Sequence, residues 1–180
     1  MIDYTIKAIP TTYRGRRYRS RLEARWAAFF DEMGWEYEYE PCDLGRWSPD
    51  FALWGARPSY PVMVEVKPID DWHRETARKM SDACEERSIS HFLLVGKTPQ
   101  PLLGVHGTMI GWLGQLRSYE ADWTEAVLLQ RGDRFDFVGD DADRFCQETL
   151  IWEFQESCQR ANPSDAWIRA ANAVQWKPPA

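Results

Sequence analysis

At 180 residues the chain fits one compact domain, and its 44% hydrophobic content, rich in ten Trp and eight Phe, is ample for a core. No apolar run approaches membrane-spanning length and no signal-like segment opens the sequence, so a cytoplasmic protein with no membrane partner is expected. A net charge of −6 argues against broad coating of nucleic acid.

The charge is uneven. Residues 1–30 carry seven basic side chains, Lys7, Arg14, Arg16, Arg17, Arg19, Arg21 and Arg25, against Asp3 and Glu23, a net +5 that leaves −11 for the rest. A basic head on an acidic body suits local contact with an anionic partner; a solvated arm without a partner would carry the same charges. Tyr13 and Tyr18 interleave with the arginines and suit either stacking on an unpaired base or ordinary packing.

From Ser20 to Met33, Leu22, Trp26, Phe29, Phe30 and Met33 recur at helical spacing, and Gly34 is placed to stop that helix. W-E-Y-E-Y-E (35–40) alternates strictly and predicts a half-exposed strand ended by Pro41. D-F-A-L-W (50–54) and P-V-M-V-E-V-K (61–67), separated by G-A-R-P-S-Y, predict a hairpin. Asp70 and Asp71 can cap a helix over 71–86 whose inner face holds Trp72, Thr76, Met80 and Ala83. H-F-L-L-V-G (91–96) then predicts a buried strand, so that strand, helix and strand form a parallel crossover.

Beyond Gly96 the signal thins. Strands are expected over 105–113, 124–130 and 134–138, the last two joined by a turn at Arg131–Asp133, and helices over 141–159 and 164–174. Cys42, Cys84, Cys146 and Cys158 make no C-x-x-C pair, which excludes a zinc knuckle and favours reduced thiols. His73, His91 and His106 form no ligand spacing, and Gln115 with Tyr119 makes a Q-x-x-x-Y in a Gly-flanked stretch with no helix to carry it.

The hairpin carries the chemistry. If it closes symmetrically over 55–60, Asp50 stands opposite Glu65, where β-carbons lie about 4.5–5.5 Å apart. Phe51, Leu53, Val62, Val64 and Val66 then share the other face. Carboxylates that close repel unless a cation joins them, and their oxygens are a good seat for Mg²⁺ with part of its water. Lys67, two residues after Glu65, falls on the acidic face, where it can orient water or meet charge building on a phosphate. E-x-K alone would occur by chance about 0.6 times in such a length, so the weight rests on the register that unites it with Asp50. A surface ion-pair cluster is the competing reading.

S-R-L-E (20–23) on a first helix, S-P-D-F (48–51) on a strand and V-E-V-K (64–67) on the next, followed by helix and strand, resembles the PD-(D/E)XK nuclease superfamily. The likeness is greatest to small phage and prophage nucleases and to transposon-end-cleaving endonucleases, and covers about residues 15–97. It implies a restriction-endonuclease-like α/β core of αβββαβ order with a mixed central sheet flanked by helices. Residues 98–180 would elaborate the same single domain. It also implies a metal-dependent DNA endonuclease using Mg²⁺, with Mn²⁺ as a substitute. Asp50 and Glu65 would be metal ligands, joined by the Val66 carbonyl, and Lys67 the catalytic lysine. Glu23 would reach the metal from the first helix, although Ser20 and Glu23 also make an S-x-x-E capping box in which Glu23 only ties off the helix start. Arg14, Arg16, Arg17, Arg19 and Arg21 would grip DNA phosphates beside the site. The alternative is a catalytically silent module of this fold that binds nucleic acid or a host protein, with the C-terminal region as a protein or homodimer contact. A nuclease for RNA is weaker, since no RNA module is legible.

Overall fold

The apolar stripe of the first helix organises the molecule in its computed structural model, which describes residues 8–54, 61–101, 107–117, 120–131, 134–139, 159–160 and 163–175. Helix α1 (Arg21–Glu32) starts at an N-cap, Ser20, whose hydroxyl accepts the Glu23 amide at 3.1 Å, and runs to Met33 as C-cap. It buries Trp26, Ala27, Phe29 and Phe30, at the helical spacing the sequence predicts.

Residues 11–18, before α1, form a docked hairpin rather than a solvated arm. Strands β1 (Thr11–Tyr13) and β2 (Arg16–Tyr18) pair antiparallel around Arg14 and Gly15. Both turn residues have positive φ, 47° and 77°, the combination that two-residue turns between twisted strands require. Tyr18 is buried, its ring 4.6 Å from that of Tyr39, and the Tyr13 hydroxyl donates to Asp31 at 2.8 Å. Stacking of Tyr18 on a base is thereby excluded: its ring is already inside the core.

Three antiparallel strands follow as expected, β3 (Glu36–Tyr39), β4 (Phe51–Trp54) and β5 (Val62–Val66). Glu36 and Glu38 are exposed while Tyr37 and Tyr39 turn to the core, as strict alternation requires. Phe51 pairs with Val64, Ala52 with Met63 and Leu53 with Val62, the register predicted from symmetric closure of the hairpin; the connection 55–60 lies outside the described residues. Helix α2 (Arg74–Glu86) then leads to β6 (His91–Val95), which pairs parallel with β5.

The start of α2 departs from expectation. His73, not Asp70 or Asp71, is the N-cap, its Nδ1 accepting the Thr76 amide at 3.3 Å. Asp70 instead pairs with Lys97, and Asp71 accepts the Trp72 amide at 2.7 Å. Trp72 precedes the helix and packs on Trp123 and Trp112, at 5.1 and 6.0 Å between ring centroids. Thr76, Met80 and Ala83 do form the buried face.

Beyond β6 the chain adds β7 (Gln100–Pro101), β8 (Thr108–Arg117), β9 (Glu120–Arg131), β10 (Arg134–Gly139), β11 (Gln159–Arg160) and helix α3 (Ser164–Ala173). Expected residues 105–106, 118–119 and 132–133, and 141–158 of the expected helix 141–159, lie outside the described residues, while Gln159 is in a strand paired to β9. Gln115 sits in β8 opposite His91, not on a helix, so Q-x-x-x-Y carries no motif geometry here; Tyr119 is outside the described residues.

The main sheet runs β10-β9-β8-β6-β5-β4-β3, with β7 beside β8 and β11 beside β9. It is mixed, with β5 and β6 parallel and the other described pairs antiparallel. The three helices of the described residues cover both faces. Helices α1 and α3 pack on one, where Trp167 approaches Trp26 to 4.7 Å and Phe29 to 5.5 Å. Helix α2 and the segment holding Leu44 and Trp47 cover the other. Among the described residues no helix is long and apolar enough to cross a membrane. Cys42 is exposed and Cys84 buried, both as free thiols; Cys146 and Cys158 are outside the described residues.

The close of β6 leaves no room for a side chain. A Cβ on Gly96 would stand 2.5 Å from the Ile69 carbonyl oxygen, and the Gly96 carbonyl accepts the Trp26 indole at 2.9 Å. Gly96→Ala is expected to cost about 2–4 kcal/mol, because backbone at this contact must shift and drag a buried hydrogen bond with it. Urea unfolding of the variant checks this; a loss below about 0.5 kcal/mol would show the contact to be soft.

Candidate active site

Asp50 stands one residue before β4, and its backbone is clamped from both sides. The Glu40 amide donates to its carbonyl, and its own amide donates to the Val64 carbonyl, both at 2.9 Å. Its carboxylate, 4% exposed, accepts the Val66 amide at 2.8 Å on Oδ2 and the Arg19 guanidinium on Oδ1. The side chain therefore reaches over the end of β5, where Glu65 and Lys67 are carried.

Glu65 is equally buried, at 4%. Lys67 Nζ meets its Oε1 at 2.5 Å, and the Trp47 indole donates to its Oε2 at 2.7 Å. The Lys67 amide is held by the Val95 carbonyl at 2.9 Å, which fixes the strand end that presents the ammonium. Trp47 is 1% exposed and packs with Leu44 against α2. Trp47→Phe is expected to cost about 1–3 kcal/mol, because it strands a buried carboxylate oxygen without a donor. Chemical denaturation gives the number, and a cost near zero would mean that water replaces the indole.

Glu23 does cap its helix. Its Oε1 takes the Ser20 hydroxyl at 2.8 Å, and its Oε2 takes the Tyr39 hydroxyl at 2.5 Å and the Arg19 amide at 3.2 Å. The capping box expected from the sequence is thus present, with the Arg19 amide replacing the N-cap amide as the reciprocal donor. Glu23 is 8% exposed, and its charge reaches Asp50.

Charge and burial oppose one another here. Asp50 is pushed up to about 7, first by burial and next by the charge of Glu65, with Glu23 adding to the rise and the Val66 amide and Lys67 countering it. Burial works against the Lys67 ammonium, but Glu65 outweighs it and holds the lysine above its ordinary value. Burial works against the Arg19 guanidinium too, but Asp50, Tyr39 and Glu23 together outweigh it and hold the arginine above its ordinary value. A buried Asp50 pushed toward protonation beside other carboxylates is a site that gains from added positive charge.

The basic cluster divides. Arg14 folds back onto α1, with Nη1 at 3.3 Å from Asp31. Arg16, Arg17 and Arg21 are exposed. Arg19 turns inward and joins Asp50 and Glu40, the latter at 3.0 Å, with Glu23 at 3.8 Å. Arg25, part of the same basic head, lies 3.9 Å from the Trp167 ring centre and donates to the Trp167 carbonyl at 3.1 Å, so it belongs to the α1–α3 contact. Trp47, Tyr39 and Glu40 are site residues that no motif marks: Trp47 lies in irregular chain, Tyr39 ends an ordinary alternating strand, and Glu40 follows directly after it.

Among the described residues no three His, Cys, Asp or Glu side chains are grouped to hold a metal ion on their own. The donor set that exists is two buried carboxylates of hard oxygen, met by Lys67 and Arg19. That set fits Mg²⁺, which needs few protein oxygens and keeps several waters, provided that the guanidinium moves aside. No protein-family profile, characterised protein or solved structure matches this chain.

Proposed function

We propose that the chain is a metal-dependent DNA endonuclease of the PD-(D/E)XK kind, related to phage or mobile-element nucleases, with a restriction-endonuclease-like core over about residues 15–97. The observation that carries this reading is the burial of Asp50, one residue before β4, and of Glu65 in β5, 4% exposed each, with Lys67 2.5 Å from Glu65. A fold gains little from desolvating two like charges, since apolar side chains of the same volume serve the core as well or better. A reaction centre does need them.

In this reading Asp50, Glu65 and the Val66 carbonyl hold the ion, and Glu23 supports it from α1 through water or directly. When bound, Mg²⁺ or Mn²⁺ would supply Lewis-acid activation of water and of a phosphate oxygen. The chain's own groups do the rest. Lys67, fixed at the end of β5, donates to the attacking water or to a phosphate oxygen as charge builds there. Trp47 holds Glu65 in place from the other side. Arg16, Arg17 and Arg21 give exposed positive charge on the hairpin and the first turn of α1, suited to phosphates rather than bases.

The test is a cleavage panel over linear, nicked, branched and single-stranded DNA, and RNA, with Mg²⁺ or Mn²⁺ and a Glu65→Ala control. Metal-dependent cutting of DNA that the control lacks is the expected result; intact DNA throughout with both metals defeats the reading. The Arg19–Asp50 ion pair favours one other reading, a silent module in which the arginine is a permanent counter-ion. Calorimetry showing tight partner binding without any uptake of Mg²⁺ would select it.

A further inference from the structure

Arg19 sits where positive charge is most wanted. Its Nη2 meets Asp50, whose side chain is 5% exposed, while its Nε lies 3.0 Å from Glu40 and 3.8 Å from Glu23. Its backbone is pinned too, the amide donating to the Tyr39 hydroxyl at 3.0 Å and to Glu23 at 3.2 Å. The Arg19 side chain is 58% exposed, so its guanidinium can leave Asp50 for water without unpacking the core.

Glu40 supplies a second, independent sign that this contact is built. It holds φ at 51°, a left-handed backbone that few non-glycine residues adopt. Its amide donates to the Asp50 carbonyl at 2.9 Å, and its carboxylate accepts from the Arg19 guanidinium. The strained residue, the arginine and the buried acid form one closed set of contacts.

Resting on the metal-dependent reading above, the geometry points to Arg19 as an internal counter-ion that competes with the divalent cation for Asp50, with Glu40 as its anchor. The site is held shut by its own chain, and metal entry requires exchange of a guanidinium for the ion. An arginine that neutralises Asp50 removes part of the negative charge that would attract a cation. Its removal leaves the buried carboxylate uncompensated and more demanding of metal.

The experiment is calorimetric titration of Mn²⁺ into the full chain, without DNA, for wild type, Arg19→Gln and Glu40→Gln, with circular dichroism as the check on fold. Arg19→Gln is expected to bind Mn²⁺ about ten-fold or more tightly than wild type, within the usual range of coupling between sites. Glu40→Gln is expected to shift the same way by less, since the arginine keeps Asp50 but loses its anchor. Equal or weaker binding by Arg19→Gln overturns the competition while leaving the metal reading intact. Weaker binding by Glu40→Gln makes Glu40 a ligand and overturns its assignment as anchor. No Mn²⁺ uptake by wild type or Arg19→Gln overturns the metal reading and the competition together.

Discussion

Asp50→Ala and Glu65→Ala are each expected to lower metal-dependent DNA cleavage by at least about 10³-fold while leaving the circular dichroism spectrum unchanged. On the proposed reading each removes half of a two-carboxylate seat, so ion placement and water activation would both fail. Lys67→Ala is expected to lose comparable rate without any loss of Mn²⁺ affinity, because the ammonium meets charge that develops during reaction. Activity within ten-fold of wild type in Glu65→Ala would place the chemistry elsewhere on the chain.

Asp50→Asn is expected to stabilise the protein at pH 8 by about 2–3 kcal/mol in the absence of metal, roughly 5–10 °C in Tm for a chain of this size. Burial and the charge of Glu65 raise the folded pKa of Asp50 to about 7 from its ordinary value of 3.8. Below pH 4 the group is protonated in both folded and unfolded chains and costs nothing. As pH rises toward 7 the unfolded chain releases the proton first, so stability is lost through that window and stays lost above it. Asparagine keeps an oxygen for the Val66 amide and has no charge to bury, so its advantage should grow from pH 4 to pH 7 and then level off. Adding Mg²⁺ should shrink the difference, since it stabilises wild type alone. A lower Tm for Asp50→Asn at pH 8 would mean that the Arg19 ion pair outweighs desolvation.

The core was legible because its signals are local. Trp26, Phe29 and Phe30 declare a helix face by spacing alone, and Phe51, Leu53, Val62 and Val64 declare both the hairpin and its register, since a one-residue slip would put all of them on the wrong face. The S-x-x-E capping box was readable for the same reason. The N-terminal hairpin was not, because Arg14-Gly15 is an uncommon pair for a two-residue turn and its arginines read as a solvated arm. The cap of α2 was misplaced by three residues because aspartates compete for that role until tertiary contacts occupy them, as Lys97 occupies Asp70.

By itself, then, the sequence determined the αβββαβ run through β6, the register of β4 on β5 and the presence of Asp50, Glu65 and Lys67 at neighbouring strand ends. All follow from periodicities of 2 and 3.6 that act over a few residues. Only the tertiary structure decided that Trp47 holds Glu65, that Tyr39 links Glu23 to Arg19, and that Arg19 leaves the basic cluster to meet Asp50. Those contacts join residues that lie 16 to 31 positions apart or on different elements, and burial sets their strength. No pattern along the chain encodes burial at a point where irregular segment, helix start and sheet edge converge. Asp50 is acidic by sequence; that it is crowded, desolvated and already holding a cation is a property of the fold.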